Sequence, residues 1–118
     1  MDAHKVLSFG PDRQLLLTRE AVLRKSGFEV ISVTNENAAR FEIETGKCGV
    51  LLICYRVPVN QANELAGLFR RNCPDGQVIF VVNGPQDLAA DADAFVPESN
   101  GSEAIVQVLR SGLRHQNA

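Results

Sequence analysis

Short runs of β-branched and aromatic residues alternate along this chain with longer stretches in which apolar positions recur every three or four residues. That pattern predicts strands alternating with amphipathic helices, an α/β domain on a parallel sheet. Lys5-Val6-Leu7-Ser8-Phe9 reads as a first strand that stops at Gly10-Pro11. Asp12 is placed to cap a helix through about Ser26. Its inward stripe is Leu15, Thr18 and Val22, flanked by Leu16 and Leu23, with Arg13, Glu20, Arg24 and Lys25 outward. Gly27 suits the turn that ends this helix. Phe28 to Val33 reads as a second strand, and Asn35 caps a helix over about Glu36 to Glu44, ended by Gly46.

The third strand, Gly49 to Tyr55, and the fourth, Val78 to Val82, are apolar at nearly every position, as central parallel strands covered on both faces are. Between them a helix over about Gln61 to Asn72 ends at Pro74-Asp75-Gly76. Ala94 to Val96 reads as a short fifth strand. A last helix, about Ser102 to Leu113, turns Ile105, Val106, Leu109 and Leu113 inward and leaves Arg114 to Ala118 frayed. Repeats, linkers and low-complexity tracts are absent, so residues 1–118 read as a single domain. Five strands with helices between them predict a flavodoxin-like three-layer sandwich with strand order 2-1-3-4-5. Its site is expected beyond the C-terminal strand ends, at the switch point between strands 1 and 3.

Composition narrows the function. The chain has 118 residues, 45% hydrophobic and 22% charged, with a formal net charge of −2, an ordinary globular balance of about one domain. A slightly acidic chain lacks the electrostatic footprint of a nucleic-acid binder. No apolar run approaches the ~20 residues of a membrane helix, and Met1 to Lys5 lead straight into a strand, so no membrane contact and a cytoplasmic location are expected. Three cysteines (Cys48, Cys54, Cys73) and two histidines at the extremes (His4, His115) make no zinc-ligand pattern. Neither metal nor cofactor is expected, and the thiols are expected to be reduced and mostly buried.

The run Leu51-Leu52-Ile53-Cys54-Tyr55-Arg56-Val57-Pro58 resembles the third strand and following loop of the response-regulator receiver (CheY-like) family, where the pattern reads roughly L-L-D-Y-R-M-P. The resemblance extends through the chain in element order. It implies a phospho-accepting Asp at position 54, an acidic Mg²⁺-holding pair at positions 10 and 11, a Ser or Thr at 83, a Lys at 98 followed by Pro, and a switching aromatic at 95. Here those positions hold Cys54, Gly10 and Pro11, Asn83, Glu98 and Ser99, and Phe95. A thiol cannot form the acyl phosphate a carboxylate forms, and Gly10 and Pro11 lack the hard oxygens Mg²⁺ favours. Asp12 is either a displaced ligand or, more simply, a helix cap. Arg56, two residues beyond Cys54, is placed to point towards it. Glu98 would repel a phosphoryl group. Cys54 and Phe95 also read as plain core residues, and Asn83-Gly84-Pro85 as a turn.

Phe95 follows Asn83 by 12 positions. That leaves Gln86 to Asp91 for a shortened helix 4 of about one and a half turns, on the face through which receivers commonly dimerise or touch output domains. The combination predicts a degenerate pseudo-receiver. Such a chain is a non-enzymatic, phosphorylation-independent signalling module of a bacterial two-component pathway, acting on a protein partner: a histidine kinase, another response regulator or a second copy of itself. Two alternatives stand beside it, a redox or small-ligand sensor using Cys54 and the strand-end pocket, and a true phospho-receiver rearranged around Asp12. Gly10-Pro11-Asp12 is no Gly-rich phosphate loop, which argues against a nucleotide or flavin binder. Cys54 is expected to be buried and unreactive.

Overall fold

The computed structural model describes residues 2–84 and 91–116, the last four by backbone only. The elements run β1 (Asp2–Phe9), α1 (Arg13–Lys25), β2 (Glu29–Val33), α2 (Glu36–Glu44), β3 (Cys48–Ile53), α3 (Val59–Asn72), β4 (Gln77–Val82), β5 (Ala94–Pro97) and α4 (Ser102–Gln116), with one 3-10 turn, Glu98–Asn100, between the last two. All strand pairs are parallel, in the expected order β2-β1-β3-β4-β5.

Side-chain alternation along the strands splits the core into two layers. Leu7, Phe9, Leu51, Ile53 and Phe80 face Ala39 and Ile43 of α2 and Leu65, Ala66 and Phe69 of α3. Val6, Val50, Leu52, Ile79 and Val81 face Leu23 of α1 and Ile105, Val106 and Leu109 of α4. β3 is buried along its whole length, which explains its lack of polar positions. The register puts Phe9 opposite both Val33 and Ile53. The first three strands therefore end at one level, with Gly10 and Cys54 just past the rim.

Several boundaries differ from the sequence reading. β1 begins at Asp2, because Asp2 pairs with Cys48 of β3 and its N–H reaches the Lys47 carbonyl. β2 starts one residue later than expected, at Glu29. β3 ends at Ile53, so Cys54 and Tyr55 belong to the loop. α3 starts at Val59, directly after Pro58, whose ring suits a helix start. α4 continues to Gln116, so residues 114–116 are helical, whereas 117–118 lie outside the described residues and Leu113 is described by backbone only. Of the proposed short helix before β5, residues 86–90 lie outside the described residues, and Asp91 is non-helical.

The stripe on α1 is also shifted. Thr18 is exposed, and the buried set is Leu16, Arg19 and Leu23. These residues recur at i, i+3 and i+7, so the helical period is right and the face is rotated by one position.

Candidate functional site at the strand ends

Gly10 and Cys54 meet at the β1/β3 corner. The Cys54 N–H donates to the Phe9 carbonyl at 2.9 Å and the Gly10 N–H to the Val33 carbonyl at 3.3 Å, which holds both backbones at the rim. A Cβ on Gly10 would lie 2.6 Å from the Cys54 Cβ. Glycine is therefore required here by close approach. With Cys54 only 1% exposed, the corner is filled by the two residues that occupy it.

Asp12 spends both its carboxylate oxygens locally. One accepts the Leu15 N–H at 3.2 Å and caps α1, and the other pairs with Arg56 Nη1 at 3.1 Å. Arg56 thus points to Asp12 and not towards Cys54, correcting the expected orientation. The pair is partly exposed, so it is worth at most about 1 kcal/mol. Beside it, a hollow of about 240 Å³ opens at the switch point, lined by Phe9, Pro11, Asn35, Arg56, Pro58 and Gln61. At its margin Gln61 donates to Glu36 at 3.0 Å, and this hydrogen bond, helped by Arg40, holds the Glu36 carboxyl below its usual range.

At the opposite corner, Asn83 is exposed just beyond β4, and Phe95 is half-buried on β5, packed against the α2/α3 layer. Glu98 lies one residue past β5, in the 3-10 turn, and its carboxylate pairs with Arg19 Nη2. The Arg19 side chain is 3% exposed and that of Glu98 30%. Glu98 is therefore an already paired anion, a correction to its reading as a bare repulsive charge. Arg19 was missed because it was not placed on the buried stripe of α1. The legible signal was a cation at i+3 from Leu16 and i+4 before Leu23, which demands a distant anion. Arg19 Nη1 is buried without a hydrogen-bond partner, and an unmet buried donor costs about 1–3 kcal/mol, more when charged. Arg19 lines a cleft of about 250 Å³ whose other walls come from α1, β4, β5 and the start of α4.

A second unforeseen cluster pins the connection into β5. Arg70 of α3 contacts Asp93 at 3.3 Å and Asp91 at 3.5 Å. The Asp91 N–H donates to Asn63 Oδ1, and Asp93 exchanges two hydrogen bonds with Val78 of β4.

The remaining thiols, Cys48 and Cys73, are buried too. Burial pushes the Cys48 thiol up to about 11 and raises that of Cys73. Among the described residues no cluster of three His, Cys, Asp or Glu side chains could hold a metal, and no helix is long and apolar enough to cross a membrane.

This architecture matches solved structures closely. A CheY-like response-regulator receiver domain from Methanospirillum hungatei aligns at a TM-score of 0.82 with 19% identity, over 96% of this chain and 95% of its own. The chain has the receiver fold. A response-regulator receiver protein from Sinorhizobium medicae gives 0.80 and 18%, over 93% and 94%. The receiver domain of a Pseudomonas aeruginosa sensor histidine kinase, which holds a magnesium ion in its active-site cleft, gives 0.78 and 19%, over 91% and 94%. No protein-family profile and no curated protein matches the chain. Gly10 and Cys54 thus sit at one corner of the C-terminal rim, and Asn83 and Glu98 lie just past the ends of β4 and β5.

Proposed function

We propose that this chain is a receiver-like signalling module of a two-component-type pathway that works by protein–protein contact and not by accepting a phosphoryl group. The single observation that carries the reading is the Cys54–Gly10 contact: the acceptor position is a sealed thiol packed against a glycine that has no room for a side chain. Mg²⁺ does not fit the residues of this corner. Gly10 and Pro11 have no side-chain oxygen, the space a carboxylate at position 10 would need is taken by Cys54, and Asp12 is committed to its cap and to Arg56. Glu98, paired with Arg19, offers a phosphoryl group no cation of its own.

The same facts weigh against the two alternatives. A redox sensor needs an accessible, activated thiol, and Cys54 is shut in with Arg56 turned away. A receiver rearranged around Asp12 needs that carboxylate unpaired. The module is read as cytoplasmic and non-enzymatic, with a histidine kinase, another response regulator or a second copy of the chain as partner.

The test is to treat the wild type and Cys54→Asp with acetyl phosphate and Mg²⁺ and weigh the intact protein. Neither should gain a phosphoryl group, because the variant restores the acceptor but not the metal ligands. Stoichiometric phosphorylation of Cys54→Asp would overturn the proposal.

A further inference from the structure

We infer that the cleft between α1, the end of β5 and the start of α4 binds a small uncharged molecule with an apolar body and one oxygen acceptor, of the carbonyl or hydroxyl class. The inference goes beyond the signalling role and stands apart from the strand-end corner, since it uses neither Cys54 nor the switch point.

Arg19 supplies the polar half of the argument. It is 2% exposed; Nη2 is taken by Glu98, while Nη1 is buried and has no acceptor. A guanidinium keeps its protons at any physiological pH. The unmet N–H therefore cannot be relieved by titration, only by an oxygen acceptor from water or a ligand. The cleft that Arg19 lines holds about 250 Å³, with Leu15, Val81, Val96 and Ile105 among its walls. Such a wall favours hydrocarbon over a column of water.

Charge decides the head group. Glu98 already neutralises Arg19, and among the described residues the cleft is lined by no other charged side chain. A ligand carboxylate would thus add an unbalanced anion beside Glu98, and an ammonium would face the guanidinium. A neutral acceptor satisfies Nη1 without either conflict. The occupant would bridge α1 to the β5–α4 junction, where Gly101, at φ +77°, turns the chain into α4.

Cyclohexanone and cyclohexanol are suitable probes, with cyclohexanecarboxylate and cyclohexylammonium as charged counterparts. Titrated into the ¹⁵N-labelled full chain, the neutral pair should give saturable amide shifts at Thr18, Gly101 and Ser102, and the charged pair binding weaker by about tenfold or more. Arg19→Met, which keeps the length and removes the donor, should weaken the neutral probes by about tenfold or more. Thr18→Trp, on the exposed rim and away from the ion pair, should abolish the shifts by filling the cleft, and it decides the matter if Arg19→Met does not fold. The proposal is overturned if the neutral probes give no saturable shifts, if the charged probes bind as well, or if binding survives Thr18→Trp or a folded Arg19→Met.

Discussion

At the β1/β3 corner the chain sets a glycine against a buried thiol, both without charge, and leaves no void between them. At the β5/α4 corner, on the same rim, it buries a guanidinium, pairs it with Glu98 and leaves one donor unmet beside a cleft. The first corner is packed without polar side-chain atoms, so its stability rests on close fit. The second retains polar atoms by balancing them, so its stability depends on both partners being present. The comparison teaches that one rim can hold a corner kept by shape and another kept by charge balance. The two corners should respond differently to the same kind of damage.

The largest effect is expected from refilling the Gly10–Cys54 corner. Gly10→Asp places a Cβ 2.6 Å from the Cys54 Cβ and a carboxylate in a sealed space. Overpacking together with charge burial should cost about 4 kcal/mol or more in chemical denaturation. Gly10→Ala should cost about 1–3 kcal/mol, and combining it with Cys54→Gly should cost less than the two singles added together. Strict additivity would mean that the contact is not what constrains position 10.

Next comes breaking the charged corner from one side. Glu98→Ala leaves Arg19 buried and unpaired and should cost about 3 kcal/mol, the low end for a buried pair because Glu98 keeps some solvent contact. Arg19→Met/Glu98→Ala, with both charges gone, should return to within about 1 kcal/mol of the wild type. A double variant as unstable as Glu98→Ala would show that the pair is not the source of the loss.

Alkaline pH probes how dry the apolar layer is. The Cys48 thiol is raised by burial from 9.0 to about 11. A group with a raised folded-state pKa contributes stability that is fully present below its unfolded value and is lost as pH rises through the folded one. Unfolding free energy should therefore fall by about 2 kcal/mol between pH 9 and 11. Cys48→Ala should flatten that slope even while lowering stability at neutral pH, and an unchanged slope would remove Cys48 as its cause. The smallest effect is expected at the partly exposed Arg56–Asp12 pair, where Arg56→Ala should cost no more than about 0.5 kcal/mol. A loss above 2 kcal/mol there would mean that the pair braces the Gly10–Cys54 corner.

Much of this was legible beforehand because strand and helix periods are local. The continuous apolar runs at Val50 to Ile53 and Val78 to Val82 mark central strands, and Asp12 and Asn35 mark helix starts that the structure reproduces. The residue types at positions 10, 11, 54 and 98 were visible as well. Their mutual geometry was not. Cys54 requires Gly10 only because parallel pairing sets the ends of β1 and β3 side by side. Arg70 holds Asp91 and Asp93 only because α3 runs beside β4.

By itself, then, the amino-acid sequence determined the element order, the parallel α/β class and the absence of side-chain oxygens at positions 10 and 11, since each follows from residue type and spacing within a few positions. Only the tertiary structure decided whether Glu98 is a bare anion or a partner, and which face of α1 is buried. Those answers rest on a contact between residues 79 positions apart. The cost of burying Arg19 depends on what lies across from it, and that is a property of the packed sheet, not of the helix that carries it.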